Sequence, residues 1–236
     1  MPTPRRRPTA AKTSSTGGRP PRRRPPSAKA DHPDDAVVLS GPPGRLTTTV
    51  TVENLTADRL VVRRPTLHLD GEAVTGAASA IIPAGRTVEV PVVVPLPATT
   101  PPGRHEAEME LGGVRHRVVV DVAPHLSLDL SPRRVLAVGG SQDVALVVTN
   151  TGNVRMPLAS VTMARTDDGG PDPGPDVVLT LEAPVVVEPG ATVTLAARLE
   201  VPAGLEAARR HTASVPVGVA DLDVVILPRD RSESKS

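Results

Sequence analysis

The sequence has no cysteine, phenylalanine, tryptophan or tyrosine. Without cysteine there are no disulfide staples and no thiolate metal sites. Without aromatic rings there is no stacking platform of the kind that single-stranded nucleic-acid grooves use. A core must therefore be assembled from Val, Leu, Ile and Ala, the larger of which give roughly 1.5–3 kcal/mol each on full burial. Many small contributions of that kind suit repeated strands better than one compact catalytic body. No run of about 18 apolar residues is present, so no helix is expected to span a membrane. The N-terminus is positively charged, but no apolar segment follows it, so it does not read as a secretory signal. The expected location is the cytoplasm, or the cell envelope if the native start lies upstream.

The charge that is present is unevenly placed. Lysine is confined to Lys12, Lys29 and Lys235, and the other basic residues are Arg. This bias, with abundant Ala, Val, Pro and Gly, reads as the product of a GC-rich bacterial genome. Nine of the 27 basic residues lie in residues 1–30, a stretch without Asp or Glu. The other 206 residues hold 18 basic and 26 acidic side chains, a net of −8. A +9 arm thus precedes a −8 body. The arm has seven prolines and no Val, Leu or Ile, too little apolar surface to offset its ordering entropy. Residues 1–35 are expected to be disordered, as is the tail 229–236. Arg5, Arg6, Arg7, Arg19, Arg22, Arg23 and Arg24 are the candidate docking residues for an acidic partner: a protein, a nucleic acid or an anionic surface.

From Ala36 onward, short apolar-alternating runs are separated by Gly, Pro, Asn and Asp, the pattern of an all-β sandwich. Strands are expected near 36–39, 46–53, 60–69, 87–95, 104–111 and 114–122. A second set is expected near 126–130, 143–149, 158–164, 177–182, 192–201, 210–217 and 221–227. No helix is evident beyond a single turn at Leu205–Arg210. Pro65, Pro91 and Pro216 remove ladder donors and place their runs at sheet edges or strand ends.

The two sets repeat each other. Gly85–Pro97 is echoed by Gly190–Pro202, and Val50–Asn54 by Leu146–Asn150. Arg104-His105 is echoed by Arg210-His211, and strand-ending Pro124 by Pro228. The offsets run from 96 to 106 residues. Asn54 and Asn150 end strands at corners, where the side chain can bond nearby backbone and αL geometry is tolerated.

Several of these segments are similar to the bacterial immunoglobulin-like repeats of the CARDB and NEW3 type. They are Val50–Asn54, Pro83–Val94 and Pro102–His105, then Val147–Asn150, Pro189–Leu195 and Pro202–Gly204. The resemblance implies two tandem Ig-like β-sandwiches, 36–124 and 125–228. It also implies a spacer or adhesive role beside other domains, commonly outside the cell. The sequence departs from that setting, since neither a signal segment nor a companion catalytic stretch is expected from it. It also lacks the Cys pair and the aromatics of antibody-type domains.

One hairpin can be read in register. Gly112-Gly113 suits a two-residue type I′ turn. It sets Glu110 against Arg115 and Glu108 against Arg117 on one face. Leu111, Met109, Ala107 and His105 then oppose Val114, His116, Val118 and Val120 on the other. Opposed charges there contribute roughly 0.2–1 kcal/mol per pair.

No motif points to catalysis. Gly139–Asp143 has neither nucleophile-elbow nor phosphate-loop spacing and reads as a turn before a strand. His32, His68, His105, His116, His125 and His211 are scattered, and the expected role of such residues is a backbone hydrogen bond at the end of a sandwich. Asp167, Asp168, Asp172 and Asp176 share one loop and form a weak candidate calcium site, but their spacing is not that of an EF-hand. No cofactor, no metal and no enzymatic activity are expected. The expected function is that of a structural protein mediating protein–protein assembly through strand edges, with the arm docking an acidic partner. The alternatives are an envelope adhesive module and non-specific nucleic-acid binding through the arm.

Overall fold

The computed structural model of this protein describes residues 37–167, 174–203, 205–206 and 208–228. The arm residues Arg5, Arg6, Arg7, Arg19, Arg22, Arg23 and Arg24 lie outside these residues, as do the tail 229–236 and, in the acidic loop, Asp168 and Asp172.

The described chain is all-β, with one 3₁₀ turn at Pro43–Arg45. The first half contains β1 (Val37–Gly41), β2 (Leu46–Glu53), β3 (Leu60–Arg63), β4 (Thr66–Leu69), β5 (Glu72–Thr75), β6 (Ser79–Ile82), β7 (Thr87–Val94), β8 (Gly103–Leu111) and β9 (Val114–Val122). The second contains β10 (Leu128–Ser131), β11 (Arg134–Ala137), β12 (Gly140–Asn150), β13 (Met156–Leu158) and β14 (Val161–Arg165). It continues with β15 (Asp176–Leu181), β16 (Val185–Val187), β17 (Thr192–Val201), β18 (His211–Val217) and β19 (Ala220–Ile226).

Alternation explains the strands. In β17, Leu195, Ala197, Leu199 and Val201 are buried while Thr194, Ala196, Arg198 and Glu200 are exposed, because successive side chains point to opposite faces. The buried apolar residues form two clusters. One runs from Leu39 to Val122 and includes Leu46, Leu67, Ile82, Val90 and Met109. The other runs from Leu128 to Ile226 and includes Leu146, Leu179, Leu199 and Leu222.

The halves differ in strand wiring. In the first, β5-β4-β8-β9-β1-β2-β7 form one sheet and β3-β6 a separate two-stranded ribbon. In the second, β10-β12-β17-β15-β14 and β11-β19-β18 are separate sheets, and β13-β16 is the ribbon. The opening strand accounts for part of this. β1 pairs in parallel with β9 and also touches β2 at Ser40–Thr47, joining the two sides. The corresponding run of the second half breaks at Ser131–Arg133, so β10 pairs with β12 and β11 with β19.

Several sequence expectations are corrected here. The run 60–69 is two strands in two different sheets. It breaks at Arg64-Pro65, where Arg64 takes a φ of 40° and Pro65 cannot supply a ladder donor. Strands β5, β6, β11, β13 and β16 were not anticipated. They are three or four residues long, and so few residues give alternation too little room to register. Of the single turn expected at Leu205–Arg210, the described residues show Arg209 N donating to Glu206 O at 3.2 Å with turn and bend geometry, and Ala207 lies outside them. The prolines behave as expected. Pro65 ends a run, Pro91 lies on edge strand β7, and Pro216 lies on edge strand β18.

Candidate functional site

The hairpin β8–β9 forms in the expected register, with Leu111 opposite Val114, Glu108 opposite Arg117 and His105 opposite Val120. Both turn glycines have positive φ, 62° and 84°, as a type I′ turn requires. The ion pair is diagonal, however: Arg115 reaches Glu108 at 3.6 Å. Burial lowers the pKa of His116, on the inner side of this hairpin.

The strand-ending asparagines are fully buried, and three bonds are common to both. Asn54 Nδ2 donates to Asp58 O (2.8 Å) and Ile82 O (2.9 Å), and its Oδ1 accepts from Thr56 N (3.0 Å) and Thr56 Oγ1 (2.7 Å). Asn150 Nδ2 donates to Val154 O (2.8 Å) and Val187 O (2.9 Å), and its Oδ1 accepts from Gly152 N (3.0 Å). The main chain repeats as well: Gly85 N to Asn54 O and Gly190 N to Asn150 O are both 2.9 Å. Each side chain thus ties its own corner to the start of the following ribbon and to that ribbon's other strand. The αL allowance is not used, because the positive-φ non-glycine residues among those described are Arg64 and Asp70.

A third asparagine, Asn153, holds the junction between the halves. It is 3% exposed. Its Nδ2 donates to Thr100 O (3.0 Å) and Ala123 O (3.1 Å), and its Oδ1 accepts from His125 N (2.7 Å). The linker is bonded further by Thr151 N to Ser127 O at 3.0 Å. A Cβ at Gly152 would collide with His125 O, so this close approach requires glycine. The Asn153 bonds are a direct tie that the sequence did not disclose.

The candidate chemical residues are not brought together. His105 and His211, at matching positions, bond to backbone carbonyls, Pro101 O (3.0 Å) and Glu206 O (3.1 Å). Of the acidic loop, Asp167 N bonds Thr212 O at 2.8 Å. Asp176 lies 3.8 Å from Arg165, its partner across β14–β15. Among the described residues no three His, Asp or Glu side chains are grouped as a metal site would need. Gly139–Asp143 forms a glycine turn running into β12, with φ of 90° and 81° at Gly139 and Gly140. No described helix is long and apolar enough to cross a membrane.

What the fold does assemble is the pair of ribbons that follow the asparagine corners. In the first, Val61 faces Ile81 across β3–β6, and the two are 39% and 64% exposed. Arg59, Arg63 and Arg64 are exposed around them. An open cleft of ≈ 380 Å³ lies alongside, lined by Val61, Arg63, Arg64, Thr66, Glu110 and the hairpin glycines. The Arg64 conformation costs on the order of 1–3 kcal/mol. The corner is fixed behind it by Gly76 N donating to Pro65 O at 2.7 Å. In the second ribbon, Pro157 faces Val186. There Arg155, 96 residues after Arg59, is gripped by Glu188 through Nε (2.9 and 3.1 Å) and Nη2 (2.7 Å). That contact raises the Arg155 pKa, first through the hydrogen bond and then through the charge.

No family model matches the chain. No curated protein matches it either. Among solved structures, a protein of unknown function from Porphyromonas gingivalis W83 is 13% identical with a TM-score of 0.30, over 81% of this chain and 96% of that one. The E. coli chaperone DraB is 10% identical with a TM-score of 0.28, over 79% and 91%. Domains 4 and 5 of the S-layer protein SbsC are 15% identical with a TM-score of 0.30, over 70% and 99%. Likenesses this loose carry no functional weight, and the reading below rests on the chain's own residues.

Proposed function

We propose that this protein is a non-catalytic assembly scaffold of two tandem Ig-like β-sandwiches of the CARDB and NEW3 type, 36–124 and 125–228. Its basic arm docks an acidic protein partner. The observation that carries this reading is how the buried polar side chains are used. Asn54, Asn150 and Asn153 are committed to backbone groups of their own corners and of the junction. They make a stiff frame whose charged groups lie at the surface. A frame of this kind presents strand edges and a tethered charge.

The test uses the full chain and a variant with Arg5, Arg6, Arg7, Arg19, Arg22, Arg23 and Arg24 changed to Gln. Each is titrated at low salt with polyglutamate, duplex DNA and anionic vesicles. The expected outcome is polyglutamate binding that weakens with salt and is lost in the variant. Binding to DNA alone would replace the protein partner with nucleic acid. Absence of binding to all three would refute arm docking.

A further inference from the structure

We propose that the outer edge and face of β3, Leu60–Arg63, form a docking strand. Its occupant is an extended acidic segment of another protein, with carboxylates two positions to either side of a small apolar residue. This deepens the assembly reading by naming a second contact and its chemistry.

Three observations converge on this edge. First, β3 pairs with β6 and with no other strand among the described residues, so it presents an open edge to which an extended peptide can add. Second, the charge is one-sided. Among the described residues, Arg59, Arg63 and Arg64 have no side-chain hydrogen bond or ion pair, and Glu110 is the one carboxylate on the cleft wall. Exposed Val61 and Ile81 lie between Arg59 and Arg63. In an added strand the residues on one face alternate. A segment reading acid–x–apolar–x–acid therefore sets its apolar residue beside Val61 and one acid beside Arg63 and Arg64.

The third observation is internal to the molecule. The same ribbon in the second half is closed by differences at four positions. Pro157 stands where Val61 stands, and a proline within a strand turns its missing donor to the open edge, so the second edge has lost the donor that Val61 keeps. Glu188 stands where Pro83 stands and neutralises Arg155, the counterpart of Arg59. Ala159 replaces Arg63 and Ser160 replaces Arg64. One copy of the ribbon is open and cationic, and the other is blocked and neutral.

The test is photo-cross-linking on the full chain. The probe is the pentapeptide Asp-Thr-Val-Thr-Asp carrying a diazirine, and attachment is mapped by mass spectrometry. The control probe is Lys-Thr-Val-Thr-Lys. Attachment of the acidic probe is expected at residues 59–64 and 79–82. It should fall about tenfold in Arg63→Glu/Arg64→Glu and in Val61→Pro, with no such attachment of the control. Val61→Pro imposes a residue that the other copy already carries, and the charge-reversed variant covers the case in which it fails to fold. Attachment confined to residues 1–30 would overturn this inference while leaving arm docking intact. Attachment at 59–64 that is unchanged in both variants would overturn it too. No attachment anywhere at low salt would overturn both readings.

Discussion

The Asn54 and Asn150 corners are held by matching bonds 96 residues apart, yet the ribbons they introduce have diverged. The corners agree because each buried amide must be hydrogen-bonded and finds its partners in the backbone of its own corner and ribbon. Any change there leaves several groups unpaired at once. The ribbon faces are exposed, so substitutions cost little, and one copy has gained a proline and a neutralising carboxylate. The difference separates what the frame requires from what each copy presents.

The strongest way to break the comparison is at the corners. Asn54→Ala removes the bonds to Asp58 O and Ile82 O, leaving Thr56 Oγ1 as donor to Asp58 O, and Asn150→Ala removes those to Val154 O and Val187 O. Each is expected to destabilise its half by about 3 kcal/mol, read by urea unfolding. A large loss at one corner and none at the other would end the equivalence. Next in size is Asn153→Ala, which removes the junction bonds and has no counterpart in the first half. It is expected to lower stability by about 2 kcal/mol and to pull the unfolding of the two halves apart into separate transitions.

A gain is expected at Thr166. Its Oγ1 is buried without a partner, and Thr166→Val should stabilise the second half by about 1 kcal/mol. The smallest effect concerns pH. His116 has its pKa lowered below 6.5 by burial. The neutral ring therefore favours folding at neutral pH, and that contribution fades as pH falls below 6.5 and the unfolded chain takes up the proton more readily. The fall in stability of the first half between pH 7.5 and 5 should be shallower in His116→Gln than in the native chain.

Much of this frame was legible in the sequence. The β8–β9 register followed from Gly112-Gly113 and the alternation around it, because turn type and face pattern are both local. The echo of Asn54 in Asn150 marked the corners, although the bonds to Ile82 O and Val187 O, 28 and 37 residues away, are set by the fold. The ribbons were missed for a physical reason. Strands of three or four residues such as Met156–Leu158 show too little alternation to be seen. The break at Arg64 depends on a backbone conformation that arginine does not advertise. Asn153 carries no signal in the sequence, and its role appears only when Thr100 and Ala123 are brought beside it. The arm drew attention by charge alone, whereas Arg59, Arg63 and Arg64 become a group only once β3 and β4 part into different sheets.

The most direct measurement of the central claim, that one copy of a shared frame is open to an acidic strand and the other closed, is a transplant. The first ribbon is closed by Val61→Pro, and the second is opened by Pro157→Val, Ala159→Arg and Glu188→Ala in the same full-length chain. Mapping with the acidic diazirine probe should move attachment from residues 59–64 to residues 155–159 and 185–187. Attachment that stays at 59–64, or fails to appear on the second ribbon of the folded variant, would contradict the account.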